Sequence, residues 1–184
     1  MHEDEPQTIL TVGHSTKPIE EFVRMLHAHG VELLVDVRTV PHSRHNPQFE
    51  QHALAESLSQ AGIDCCHMKD LGGLRKPRPD SVNSGWKNES FRGYADYMQT
   101  SDFAAAIEKL IDLAKTKRLA IMCAEAVPWR CHRSLIADAL VVRGVPVEHI
   151  MSTTRHDAHH LTSFAERTGL QITYPPDEPQ QQLF

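Results

Sequence analysis

Two rhythms of apolar and polar positions alternate along this chain, and the switches between them predict its elements. "TILTVGHS" is a short apolar run closed by Gly13, the pattern of a buried strand. In "KPIEEFVRMLHAHG", Ile19, Phe22, Val23 and Leu26 recur at the spacing of one helical face. Ser15 or Thr16 is the expected N-cap, Pro18 falls in the first turn and Gly30 is the stop. "VELLVDVR" reads as a second strand, apolar enough to be covered on both faces. "FEQHALAESLSQAG" is a further helix with a glycine stop, and "IDCCHM" a third strand. Helices follow at "SFRGYADYMQT" and "SDFAAAIEKLIDLAKT", then a strand at "RLAIMCAE" and a helix at "CHRSLIADALVVRG" that ends at Gly144. "VPVEHIM" gives a fifth strand, and "DAHHLTSFAERTG" a last helix. "DLGGLRKPRPDSVNSGWKNES" is a long loop, and such a loop inside a compact domain is usually functional or disordered. Strands alternating with helices predict an α/β fold: one domain over 1–176, with a Rossmann-like sheet of about five mostly parallel strands flanked by helices. Residues 177–184 read as a flexible tail.

Composition mainly excludes. With 184 residues, 40% hydrophobic and 23% charged, the chain is an ordinary globular length and mix. A net charge of −5 offers no global basic field, so a polyanion would have to meet a local patch. No apolar run approaches a membrane span, and "MHEDEPQ" is the opposite of a signal peptide; a cytoplasmic location with no membrane partner is expected. Four cysteines, one pair adjacent, suit free thiols better than a secreted disulfide framework.

In open parallel sheets, ligands bind beyond the carboxyl ends of the strands. The polar residues of this chain sit there: His14 and Ser15, Asp36 and Arg38, His67, and Cys123 with Glu125. Together "TVGHST", "VDVRTVPHSR" with "NPQF", "LGG", "SFRGYADYM", "MCAEAVPWRCHRSLIADAL" and "ITYPPDE" resemble the DUF488 family, from about Thr11 to Pro175. The resemblance implies a single α/β domain with a shared site, but no reaction. The chemistry has to come from the residues.

Arg38, Arg44, Arg130 and Arg133 stand at a strand end or a helix start, where unpaired N–H groups and guanidinium forks together cradle an anion, phosphate first. Ser15 and His132 join them as anion-binding candidates, and Arg38 with Arg133 are expected to share one cleft. The alternative is salt bridging to Asp36, Glu125 and surface acids. Glu125 is the first choice for proton transfer, its pKa set by partial burial against nearby arginines, with Asp36 orienting an arginine and His14 beside the flexible Gly13. Cys131, at a helix start beside arginine, is the candidate nucleophile; Cys123 is a second or a plain core cysteine. No zinc-type spacing is present, so no metal residue or cofactor is called, although a divalent metal stays open.

The long loop interleaves basic and aromatic residues, the materials of a single-stranded or flipped-base binder. Arg75 and Trp86 are the substrate-binding candidates, whereas Phe91, Tyr94 and Tyr97 read as core. The sequence therefore favours an enzyme, a hydrolase or transferase, acting on a nucleotide or nucleic acid in a process such as DNA repair. A non-catalytic nucleic-acid- or nucleotide-binding module is the alternative, and a thiol or metal protein the third.

The tail adds an independent signal. Gln180, Leu183 and Phe184 in "QQQLF" resemble the peptide with which bacterial repair proteins grip the sliding clamp. Burying two such side chains contributes roughly 3–6 kcal/mol before ordering costs, enough for a transient contact. A synthetic peptide ending in "PQQQLF" is expected to bind a bacterial sliding clamp in a fluorescence-polarisation assay, and Leu183→Ala or Phe184→Ala to abolish binding. A peptide without clamp affinity removes the case for recruitment.

Overall fold

The computed structural model describes residues 7–177 of the chain, so the tail motif lies outside the described residues. β1 (Ile9–Gly13), β2 (Leu33–Asp36), β3 (Asp64–His67), β4 (Leu119–Cys123) and β5 (Val147–Ile150) run parallel, and β6 (His156–Ala158) pairs antiparallel with β5. The sheet order is β3-β2-β4-β1-β5-β6. Five helices accompany it: α1 (Ile19–Ala28), α2 (Gln51–Gln60), α3 (Glu89–Tyr97), α4 (Ser101–Ala114) and α5 (Arg133–Val141). This is a single-domain α/β fold, and no helix of the described residues is long and apolar enough to cross a membrane.

Strand side chains alternate between faces, and here the alternation divides the core in two. Leu10, Val12, Leu34, Ala120 and Met122 pack with Phe22 and Leu26 of α1 and Leu54 and Leu58 of α2. Ile9, Leu33, Val35, Leu119 and Ile121 pack on the other face with Tyr94, Phe103, Ile107, Leu135 and Ile136 from α3, α4 and α5. Covered on both faces, β1, β2 and β4 are apolar but for Thr11 and Asp36 and read as near-continuous apolar runs, whereas the edge strand β3 and β5 also carry Asp64, His67, Glu148 and His149. The neighbours β1 and β4 send their chains to opposite faces, to α1 and to α5. Their carboxyl ends therefore open into a crevice, the place such sheets use for ligands.

Two expectations are corrected. Residues 157–169, expected as a last helix, instead hold the end of β6, an irregular stretch and β7 (Glu166–Thr168), which pairs in a hairpin with β8 (Gln171–Thr173) just beyond. Their N–H groups are committed elsewhere: His159 N donates to Val147 O, and Thr162 N to Asp138 Oδ1. Leu161 and Phe164 still reach the core, so their helix-like spacing is met by an irregular chain. Neither Ser15 nor Thr16 caps α1; Pro18 holds the cap position without a side-chain bond. The long loop is pinned through Asp96, which accepts from Arg78 N, Ser81 Oγ and Asn83 Nδ2, while Asn83 Oδ1 accepts from Tyr174 N.

Gly13 sets the spacing at the crevice. A Cβ built there would lie 1.8 Å from the carbonyl oxygen of Glu125 and 2.9 Å from Nη2 of Arg133. Gly13→Ala is expected to cost about 1–3 kcal/mol through overpacking, read as a lower urea midpoint with an unchanged slope. Gly62→Ala meets nothing within 4 Å, and its cost comes only from its positive φ. A Gly13→Ala protein as stable as wild type would contradict this packing.

Candidate functional site

A cleft of about 440 Å³ opens at the carboxyl end of the sheet. Its lining includes Arg38, His42, Leu74, Phe91, Tyr94, Cys123, Glu125, Arg130, Cys131 and His132.

One half of the site is an ion pair. Arg38 is 6% exposed and donates from Nε to both Asp36 oxygens (2.9 and 3.1 Å) and from Nη2 to Oδ2 (2.7 Å), while Asp36 Oδ1 also accepts the Arg38 backbone N–H at 3.0 Å. Nη1 of Arg38 donates to Phe49 O at 2.9 Å. His14 Nδ1 donates to Ser15 O at 2.7 Å, which leaves Nε2 as the acceptor facing Nη1 of Arg38 at 3.4 Å. The imidazole stacks on Phe49 with centroids 4.2 Å apart, and burial pushes its pKa down to about 4. His14 is thus neutral at pH 7, and its lone pair is spent on Arg38. The sequence left open whether Asp36 orients an arginine; the partner is Arg38, two residues on.

The other half is built on sulfur. Cys123 ends β4, Cys131 immediately precedes the turn into α5, and their sulfurs meet as a disulfide, against the expectation of free thiols. A short 3₁₀ turn at Pro128–Arg130 folds the intervening loop back, which brings the two ends together. Cys65 and Cys66 are free. The Arg133 backbone N–H donates to Cys131 Sγ at 3.5 Å, and His132 Nδ1 lies 3.6 Å from the same sulfur. His132 Nε2 donates to Val37 O at 3.0 Å, so Nδ1 carries the lone pair; burial pushes this imidazole down to about 4. Arg133 is 0% exposed. It donates from Nε to Cys123 Sγ (3.0 Å), from Nη1 to Thr11 Oγ1 (3.1 Å) and from Nη2 to Glu125 O (2.7 Å).

The expectation that Arg38 and Arg133 share one cleft fails. Arg38 rests on Phe49, in the core under α1 and α2, whereas Arg133 lies beneath Cys123 on the α5 side. The first turn of α5 aims its side chain back under the end of β4 rather than into the cleft. Glu125 is exposed rather than partly buried, because its carbonyl, not its carboxylate, faces inward to Gly13 and Arg133. Arg130 lines the cleft and is exposed; Arg44 is exposed and outside the lining. Ser15, at φ 50, donates its N–H to Ala124 O and stitches the β1 and β4 loops. His67 Nε2 donates to Arg38 O at 2.6 Å.

Arg75 and Trp86 are both engaged by their own chain. The Arg75 guanidinium sits 3.6 Å over the Tyr97 ring, and Trp86 stacks on Phe91 at 4.9 Å with Phe164 against its edge. Tyr94 and Tyr97 anchor α3 through their hydroxyls to Leu71 O and Asp70 O, as core readings require, yet Phe91 and Tyr94 also wall the cleft. The sequence reading missed Thr11, Val40 and Leu74. A polar residue in the apolar run "TILTVG" was the available signal for Thr11; Val40 and Leu74 carried none. Among the described residues, no group of three or more His, Cys, Asp or Glu is placed to hold a metal.

Neutral buried imidazoles make stability depend on pH. His14 and His132 fall to about 4, and burial pushes His149 of β5 to about 3. Between the unfolded value near 6.5 and these folded values, protons bind the unfolded chain only, so stability is full above 6.5 and falls as pH drops toward 4. Urea midpoints measured from pH 7.5 to 4 are expected to fall through that window, less steeply in His14→Gln. A midpoint independent of pH over this range would contradict the neutral, buried imidazoles.

A family model described as "Domain of unknown function DUF488" matches residues 18–140. No curated protein and no solved structure matches the chain. The matched span holds Asp36, Arg38, Glu125 and the Cys123–Arg133 segment, while β1 with His14 precedes it and β5 to β8 follow it. With the match over more than half of its length, the chain belongs to the DUF488 family.

Proposed function

We propose that this protein is a thiol enzyme acting on a phosphate-containing substrate, a nucleotide or nucleic acid. The carrying observation is Arg133, a fully buried guanidinium with Cys123 Sγ 3.0 Å from its Nε. Among the described residues it has no carboxylate within salt-bridge distance. The exposed Glu125 carboxylate acts on it only from beyond that distance, and in the reduced protein a Cys123 thiolate supplies the charge in contact with it.

Cys131 is the nucleophile in this reading. Burial disfavours a standing imidazolium, so the thiol proton passes to the lone pair of His132 Nδ1, whose ring is held by Val37 O, only as the sulfur attacks, while the first N–H of α5 stabilises the developing charge on sulfur. The sulfur attacks an electrophilic centre of the substrate, forming a sulfur–substrate bond as the leaving group departs with the proton from His132. Water then releases the adduct and restores the thiol, with Glu125 at the cleft mouth as the base. Arg130 and the outer edge of Arg38 meet the anion; Leu74, Phe91 and Tyr94 wall its flat apolar part. The Cys123–Cys131 disulfide favours a second reading, a thiol–disulfide exchange protein.

Iodoacetamide labelling of the reduced protein with peptide mapping tests the reading. At pH 6, Cys131 is expected to react at least about tenfold faster than Cys65, whose thiol burial pushes up to about 11. Inorganic phosphate or a nucleoside monophosphate should slow Cys131, and His132→Gln should slow it further, while Glu125→Gln leaves its rate unchanged. Equal rates at Cys131 and Cys65, indifferent to phosphate, would contradict it.

A further inference from the structure

A chain of hydrogen bonds, buried except at the half-buried His159, leaves the sulfur site and runs through β1, β5, the loop after β6 and back to α5. Arg133 Nη1 donates to Thr11 Oγ1 at 3.1 Å, and Thr11 Oγ1 lies 2.6 Å from His149 Nδ1. His149 Nε2 is 2.9 Å from His159 Nδ1, and His159 Nε2 is 2.7 Å from Asp138 Oδ1. Asp138 is itself completely buried and also receives Thr162 N at 3.0 Å and the Tyr174 hydroxyl at 2.7 Å. The chain thus starts and ends on one helix: Arg133 opens α5, Asp138 sits further along it, and β5 and β1 carry the link between them.

The partners fix its direction. Thr11 accepts from a guanidinium, so its own hydroxyl hydrogen is left for His149 Nδ1. That puts the His149 proton on Nε2, where it is donated to His159 Nδ1. His159 then keeps its proton on Nε2 for the Asp138 carboxylate. The reverse polarity would leave the buried Thr11 hydroxyl hydrogen without an acceptor. Every member is satisfied in one direction only, and a buried network so satisfied is rigid.

We propose that Thr11, His149, His159 and Asp138 are positioning residues that lock the Arg133 guanidinium against Cys123 and so set how readily Cys123 becomes a thiolate. The proposal rests on the thiol reading above. Without the chain, Nη1 loses its only side-chain acceptor, and Nε is free to turn away from the sulfur. The groups facing Cys123 are Arg133 from α5, Cys131 with His132 beside it, and the exposed carboxylate of Glu125 on the following loop. Those facing His149 are His159, Arg133, Asp157 and Asp138. Asp138 is too far along the chain to neutralise the guanidinium by contact; it orients the relay, and Arg133 acts on the sulfur.

The test is the pH profile of Cys123 alkylation in the reduced full-length protein, with Cys65 as internal comparator. Wild type is expected to show a Cys123 midpoint below the ordinary thiol value of about 8.5. Thr11→Val and His149→Phe should raise that midpoint by about one unit, a tenfold loss of thiolate at neutral pH, with the Cys65 profile unmoved. Thr11→Ser keeps the hydroxyl and should keep the wild-type midpoint, which a purely structural role for Thr11 does not demand. Imidazole ¹⁵N spectra of the wild-type protein give a readout free of folding defects: both His149 and His159 are expected as the Nε2–H tautomer at pH 7. A depressed wild-type midpoint that Thr11→Val and His149→Phe leave in place, or an Nδ1–H tautomer at His149, overturns the relay while sparing the thiol reading. An undepressed wild-type midpoint overturns both.

Discussion

A guanidinium sealed from water is the constraint around which this molecule is organised. Removing such a charge from water costs several kcal/mol even after relaxation, so every N–H of Arg133 needs an acceptor and its charge needs an opposite. The acceptors come from four places: the Cys123 sulfur, the Thr11 hydroxyl, and the carbonyls of Glu125 and Ala126. These demands explain features that look unrelated. Gly13 lacks a side chain because the Glu125 carbonyl and the Arg133 fork fill the space beside it. Thr11 interrupts an apolar strand, and burial keeps His149 behind it neutral.

The sheet order makes such a residue useful. β1 and β4 are neighbours whose chains leave for opposite faces, so a crevice opens between them with a different cluster on each side. Toward α1 and α2, Asp36 holds Arg38 through two oxygens and His14 spends its lone pair on the same guanidinium. Toward α5, the sulfurs of Cys123 and Cys131 stand over Arg133 with His132 at their edge. Arg38, the two cysteines and His132 all reach the same cleft. In the proposed function a fixed cation, a neutral buried imidazole and, once the disulfide is reduced, two thiols along one opening serve nucleophilic chemistry on an anionic substrate.

The sequence made the frame legible because burial on both faces writes strands as apolar runs and glycines close the helices; Gly30, Gly62 and Gly144 all adopt positive φ. It also pointed to the strand ends, where the cleft opens. The direction in which side chains point was not legible. Arg133 was expected to face a ligand, yet the tilt of a first-turn side chain carries it under the sheet. Glu125 turns outward because its carbonyl is claimed inside. Leu161, Phe164 and Ala165 mimic a helical stripe, but Asp138 captures the Thr162 N–H from the middle of α5, a contact no local pattern announces. The same long-range contact terminates the histidine chain, whose members lie as far as 138 positions apart.

The central claim is that the charge opposite Arg133 is the thiolate of Cys123. It is tested most directly by titrating the ultraviolet thiolate absorbance of the reduced protein and subtracting the same titration of Cys123→Ser. The account predicts a difference curve with one thiolate ionising clearly below the ordinary midpoint of about 8.5, a step that vanishes in the variant. A difference curve that rises only at or above that midpoint would show a neutral Cys123 beside Arg133 and contradict the account.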